Sequence, residues 1–347
     1  MPQNTAQASS SQHGLRALWR QRGAGAWLLW PLSLLYGVLQ AWNARRMLGR
    51  QQSTGLPVIV VGNVIAGGAG KTPVTQAVVA HLKARGWQPA IISRGYGRRI
   101  ENGQDCREAL PDSPASEVGD EPALLARSTG VPVFVASRRL EAAQALRQLY
   151  PQVDVIVSDD GLQHLALARD VELCVFNDEG VGNGFLLPAG PLREPWPRPV
   201  TATLHAGQPP RPLGSSPAFA LQRSLADTAH NGHGQSIPLR SLAAQSPEAV
   251  AAVARPESFF AMLAAQGITP AATQALPDHY DFESFSRTQE NDKPLICTEK
   301  DAVKLWRSHP EAWAVPLELQ LPQTFWELLD AQLAKANANI RRDGKPA

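Results

Sequence analysis

An α/β fold, with a parallel sheet covered by helices and a smaller second α/β lobe, is what this sequence predicts. Three observations predict it. Short apolar runs rich in β-branched residues, at 56–61, 90–93, 131–135, 153–158, 171–176 and 201–205, alternate with helical stretches at 73–85, 121–129 and 138–149. That alternation is the pattern of strands buried on both faces. The first run leads through a glycine-rich string into a helix, the context in which a backbone loop cradles phosphate. A Pro/Gly-rich break at 206–217 precedes a second β/α set, and 347 residues at roughly 100–200 per domain fit two units.

Composition narrows the class. Lys+Arg is 33 and Asp+Glu is 31, a net charge of +2, which argues against a bulk nucleic-acid binder with its strongly basic face. An apolar fraction of 44% with 18% charged residues excludes wholesale disorder. Cys106, Cys174 and Cys297 lack CxxC spacing. That excludes a disulfide framework and a cysteine zinc site, and fits a reducing compartment.

Residues 1–14 are polar and Ser/Gln-rich, the composition of a disordered tail. Residues 15–50 read as a membrane-associated helix. Arg16, Arg20 and Arg22 precede an uncharged stretch from Gly23 to Ala44, and Arg45, Arg46 and Arg50 follow it. Trp19, Trp27, Trp30, Tyr36 and Trp42 suit a membrane–water interface. Pro31 and a small, polar stripe of Ser33, Gly37, Gln40 and Ala44 argue against a plain span. The expectation is an interfacial or half-inserted helix; a full span and a helix packed on the protein itself are the alternatives. A cleaved signal peptide would carry the nucleotide motif away from ATP, which argues against export.

Leu56–Val61 is the first strand, and it runs into GNVIAGGAGKTP at 62–73. The glycines admit close approach of backbone N–H groups to phosphate oxygens, and the following helix adds its dipole. Ile65, Ala66, Gly67, Gly68, Ala69, Gly70, Lys71 and Thr72 form the candidate nucleotide loop. Lys71 would reach the β/γ-phosphates and the Thr72 hydroxyl would ligate Mg²⁺. The common phosphate-loop pattern places glycine at 65; here the glycines have moved inward to 67, 68 and 70. A second buried-strand pattern, 153–158, ends in Asp159-Asp160. A carboxylate there is placed to order Mg²⁺. His164 reads equally as a functional or a packing residue.

In order, GNVIAGGAGKTP, SRGYGR (93–98), GDEP (119–122), SDDGLQH (158–164), LPAGPLREP (187–195), ARPESFF (254–260), PDHYDF (277–282) and CTEKDAVK (297–304) resemble the tetraacyldisaccharide 4′-kinase family. That is the lipid A pathway kinase of Gram-negative bacteria. The resemblance covers about residues 15–330. It implies a phosphate-loop NTPase-type domain and transfer of the ATP γ-phosphoryl group to the 4′-hydroxyl of a tetraacylated glucosamine disaccharide 1-phosphate. It implies ATP and Mg²⁺ as cofactors, with Lys71, Asp120 and His279 catalytic and Asp120 the base. Thr72, Asp159, Asp160 and Glu121 would hold the metal, and Arg94, Asn183 and Arg193 would contact substrate. The implied partners are the acylated lipid and a membrane surface, with no nucleic acid and no obligate protein partner. The implied location is the cytoplasmic face of the bacterial inner membrane, peripheral or monotopic.

The layout expected is a kinase domain over 51–216, a two-stranded linker over 217–245 and a C-terminal α/β lobe over 246–336. The linker strands are expected at 217–225 and 236–242. A membrane-associated ATPase of the partitioning or positioning type is the rival reading. Its members carry a lysine where Ala66 stands, which counts against it.

Overall fold

The structure, a computed structural model, describes residues 18–100, 103, 105–278, 280–288 and 293–343. In chain order the strands are β1 (Val58–Gly62), β2 (Pro89–Ser93), β3 (Arg107–Ala109), β4 (Val133–Val135), β5 (Val155–Asp159), β6 (Val171–Phe176), β7 (Ala202–His205) and β8 (Ala218–Ala220). They continue as β9 (Gln222–Leu225), β10 (Thr228–His230), β11 (Ser236–Pro238), β12 (Glu248–Ala251), β13 (Ala272–Ala275), β14 (Leu295–Thr298), β15 (Trp313–Val315) and β16 (Leu317–Gln320). The chain divides into two compact units. The first is Met1–Arg94, Phe134–Gln222 and Leu321–Ala347; the second is Gly95–Val133 and Arg223–Gln320.

In the first unit β2, β5, β1, β6, β7 and β8 lie side by side in that order, every neighbouring pair parallel. β1, β2 and β5 are buried at every residue, because their unbroken Val/Ile runs have apolar cover on both faces. The register sets Val61 of β1 beside Asp159 of β5. The glycine-rich string and the acidic pair therefore leave the sheet at the same level. Ligands of open parallel sheets bind at such carboxyl ends.

The helix Gln323–Asp343 also belongs to the first unit. Phe325, Leu329, Leu333 and Ala336 are its buried stripe, at the spacing of one helix face. Phe325 meets Phe219 edge-on, Trp326 stacks on His81 at 4.4 Å, and Asp330 takes His81 Nε2 at 2.8 Å and Arg85 at 2.9 Å.

The N-terminal helix spans Ala24–Leu48 and continues through Pro31. It is long and apolar enough to cross a membrane, judged by length and composition. Leu28 is 80% exposed, and Trp27, Leu32, Leu34, Leu35, Val38, Leu39 and Trp42 are exposed with it. Ala26 and Ser33 are buried, and Tyr36, Gly37, Gln40 and Ala44 are half-buried. The small, polar stripe thus faces protein, and the large apolar residues face outward.

The second unit holds a mixed sheet in the order β11-β10-β15-β14-β12-β13. β13, β12, β14 and β15 are parallel, and β10 and β11 add an antiparallel edge. Alternate residues face opposite cores. Ala249, Ala251 and Ile296 pack with Phe259 and Leu263, whereas Val250, Leu295 and Cys297 pack with Ala302 and Leu305.

The boundaries differ from the expected 51–216, 217–245 and 246–336. Residues 95–133 join the second unit, and the last helix joins the first. The two-stranded sheet is present, but β9 pairs with β16 and not with residues 236–242. β11 pairs instead with β10. Local periodicity marks a strand and not its partner, so this pairing lay beyond a linear reading.

Candidate active site

The phosphate loop begins where β1 ends. Gly62 has no room for a side chain, since a Cβ there would sit 2.7 Å from Leu162. Gly70 precedes the helix Lys71–Ala84 with φ 79° and ψ 36°, a left-handed conformation suited to glycine. No side chain caps this helix, so its first N–H groups face a ligand site with the positive end of the dipole. Gly67 and Gly68 are exposed. Their carbonyls accept from Asn63 Nδ2 (3.4 Å) and Asn177 Nδ2 (3.2 Å) respectively, which holds the loop open from behind.

The first two residues of the candidate nucleotide loop do something else. Ile65 is buried and bridges to Leu192, and the Ala66 N–H donates to Pro191 O at 2.7 Å. They fasten the loop to the LPAGPLR segment.

Lys71 Nζ lies 3.5 Å from Asn63 Oδ1 and 3.6 Å from Asp160 Oδ1. Asp160 also meets Arg193 Nη1 at 3.5 Å. Asp159 is buried, and its Oδ1 accepts from Thr75 Oγ1 at 2.9 Å. Burial works against the charge of Asp160, but Lys71, Arg193 and Arg139 outweigh it and hold the carboxyl below its ordinary value. Asp160 thus brings Lys71 and Arg193 together beside Asp159, with Thr72 in the first helical turn. Arg94 is exposed just beyond β2.

Asn183, expected to contact substrate, is engaged within its own loop. It is buried, its Nδ2 donates to Ala189 O at 2.8 Å, and its Oδ1 accepts from Phe185 N at 3.0 Å. A side chain so engaged with backbone shapes its loop and has little left for substrate.

Arg139 was missed. It is 2% exposed, and its guanidinium donates to Ala136 O (3.3 Å), Asp159 O (3.2 Å) and Asp160 O (3.3 Å). It clamps a turn in which Asp160 has φ 48°, strained for a non-glycine residue. In the sequence nothing separates it from Arg138, which is exposed and pairs with Glu141 three residues on.

His164, two residues beyond Leu162, has its pKa lowered to about 4, by burial first and then by Arg139 and Arg94. It is neutral at pH 7. A folded-state pKa below the usual 6.5 means the unfolded chain binds the proton first. Stability is then present above pH 6.5 and falls as the pH drops toward 4, by about 3 kcal/mol in all. His164→Gln is expected to flatten that acid limb in melts recorded from pH 7 to pH 4. An unchanged slope would refute the assignment.

The second unit carries its own charged cluster. Asp120 and Glu121 open the helix Asp120–Thr129, behind Gly119 with φ 98°. A Cβ on Gly119 would sit 3.0 Å from the Gly95 backbone, so the SRGYGR and GDEP strings abut through their glycines. Lys304 Nζ donates to Asp120 Oδ2 at 2.8 Å, and Lys300 lies 3.5 Å from Glu121 and 3.4 Å from Asp278. Burial works against the ammonium of Lys300, but Glu121, Asp278 and Asp120 outweigh it and raise its pKa. Glu121, expected as a metal ligand, thus faces a cation in this cluster. His279 lies outside the described residues. Lys300 and Lys304 were not read as site residues, although their i,i+4 spacing in CTEKDAVK puts both on one helix face.

No group of three or more His, Cys, Asp or Glu able to hold a metal occurs among the described residues. The donors beside the loop are oxygens: the Thr72 hydroxyl and the carboxylates of Asp159 and Asp160. Mg²⁺ takes such hard ligands, few from protein and the rest from phosphate and water. The residues fit that ion.

A model of the family described as tetraacyldisaccharide-1-P 4'-kinase matches residues 25–334. The chain is 64% identical over 324 residues to a tetraacyldisaccharide 4'-kinase of Delftia acidovorans, covering 92% of this chain and 94% of the relative. It is 60% identical over 328 residues to one of an Acidovorax species, covering 94% and 96%. It also resembles the crystal structure of an "apo" form LpxK from Aquifex aeolicus in complex with ATP, with TM-score 0.76 and 25% identity, covering 89% of this chain and 99% of that one.

Proposed function

The chain belongs to the tetraacyldisaccharide-1-P 4'-kinase family, and from that premise we propose which of its residues carry the reaction. It is an ATP-dependent kinase of lipid A biosynthesis. It transfers the γ-phosphoryl group to the 4′-hydroxyl of tetraacyldisaccharide 1-phosphate.

Phosphoryl transfer asks for positioning, charge neutralisation and an acceptor for the hydroxyl proton. The N–H groups from Gly67 to Thr72 hold the phosphates, and Lys71 neutralises charge on the transferred group. Thr72, Asp159 and Asp160 would hold Mg²⁺, which would neutralise phosphate charge as transfer proceeds. Asp159 is held by the Thr75 hydroxyl, whereas Asp160 faces the Lys71 ammonium and the Arg193 guanidinium, so Asp160 is the carboxylate more able to turn to the metal. Arg193 and Arg94 offer guanidinium forks to phosphate oxygens. Asp120 accepts the proton of the 4′-hydroxyl with His279 as its partner, and Lys304 holds the carboxylate in place.

The exposed apolar face of the helix Ala24–Leu48 seats the protein on the membrane that carries its lipid substrate, at the cytoplasmic surface where ATP is available. The flanking arginines add attraction to anionic headgroups.

The observation that carries this reading is the meeting of Lys71 with Asp160 at 3.6 Å, Asp160 directly following β5 and Lys71 opening the helix after β1. Its test is transfer of labelled γ-phosphate to purified disaccharide 1-phosphate in detergent micelles. A bisphosphorylated product that needs both the lipid and Mg²⁺ is expected. ATP turnover that ignores the lipid would favour the partitioning-type ATPase instead.

A further inference from the structure

Two hydroxyls on the inward face of the helix Ala24–Leu48 are tied to one loop. Ser33 Oγ donates to Leu186 O at 2.8 Å and accepts from Ala189 N at 3.0 Å. One turn on, the Tyr36 hydroxyl donates to Arg193 O at 2.8 Å. Arg193 is a junction. Its N–H donates to Val64 O at 2.7 Å, at the start of the phosphate loop. Its guanidinium reaches Asp160 at 3.5 Å, and Asp160 reaches Lys71 at 3.6 Å. One residue is thus gripped by the apolar helix, by the phosphate loop and by the acid beside it.

Membrane anchoring needs none of this. An interfacial helix binds through its apolar area and its basic flanks. The Tyr36 side chain is half-buried, and its hydroxyl points at protein backbone, so it adds nothing to lipid contact. A phenylalanine would fill the same space. What the hydroxyl does supply is a fixed height for residue 193, and through it a fixed reach for a guanidinium that shares Asp160 with Lys71.

We propose that Tyr36 is a positioning residue for phosphoryl transfer, joining the membrane-facing helix to the Arg193–Asp160–Lys71 cluster. The proposal rests on the reading of Lys71 and Asp160 as the phosphate and metal site. Catalytic groups held loosely lose rate steeply with displacement. A helix seated on lipid therefore steadies the transfer site as well as delivering the protein to its substrate.

The test is Tyr36→Phe in the full chain, assayed with ATP, Mg²⁺ and disaccharide 1-phosphate in mixed micelles. kcat is expected to fall about tenfold. KM for the lipid acceptor, and sedimentation with phosphatidylglycerol-containing vesicles, should stay within about twofold of wild type. Leu28→Glu, on the outward face, should instead loosen vesicle binding and raise KM. Arg193→Ala should be slow by itself, and adding Tyr36→Phe to it should change kcat by no more than about twofold, since the two act in series. A wild-type kcat in Tyr36→Phe overturns the proposal, as does a multiplicative loss in the double variant. Lys71→Ala separates the two levels. If it is inactive while Tyr36→Phe is normal, only the proposal falls; if it is active, the phosphate-site reading falls as well.

Discussion

Lys71→Ala is expected to abolish transfer, with kcat/KM reduced by about 10³-fold or more, the scale of removing a charge aimed at a developing anion. The lysine opens the helix Lys71–Ala84, and its side chain is only 15% exposed, so its charge acts with little screening by water. Its partners survive the change. Asp160 keeps Arg193, and Asn63 keeps its contact with Gly67 O. The fold should hold, and the thermal melt should move by only a few degrees. A folded variant within tenfold of wild type would sink the phosphate-loop assignment, because no other lysine is seen at this cluster among the described residues.

Asp120→Ala is expected to lower kcat by roughly 10²–10⁴-fold, the range for a lost acid–base group, with ATP affinity little changed. Asp120 heads its helix, where the dipole and the Lys304 ammonium at 2.8 Å both favour its charge. Lys304 also reaches Tyr280 O at 3.4 Å, so removal of the carboxylate does not strand the cation. His279→Ala should fall in the same range. The double variant should be about as slow as the worse single one, because groups that act as one unit are not additive. Losses that multiply would show two independent roles and end the dyad.

The phosphate loop and the acidic pair were legible in the sequence because each is local. A β-branched run, a glycine string and a helix pattern occupy consecutive residues, and Asp159-Asp160 closes a strand of the same kind. The division of the chain was not legible. Residues 95–133 carry an ordinary strand and helix pattern, and nothing in that pattern says which sheet they will join. Arg138 and Arg139 look alike in the sequence, yet one is solvated and the other clamps the acidic turn. Ile65, Ala66 and Asn183 sit within or beside recognisable strings, but their hydrogen bonds run to backbone and so hold loops. The stripe of Ser33, Gly37, Gln40 and Ala44 was visible as a pattern. Its partner, the loop through Leu186 and Ala189, was not, because that contact spans more than 150 residues.

The return of the last helix to the first unit bears on how the protein is made. A chain leaves the ribosome from its N-terminus, and residues 58–222 are out long before Phe325, Leu329 and Leu333. Until those side chains arrive, the surface that receives them, Phe219 and the His81 side of the helix Lys71–Ala84, stays open to water. The nascent phosphate-binding unit therefore carries an apolar gap throughout synthesis of the intervening residues. The apolar N-terminal helix is present during all of that interval, and early capture of that helix by the bilayer would keep two sticky surfaces from meeting in solution. A chain cut short before the helix Gln323–Asp343 therefore lacks part of its first unit, however intact its motifs.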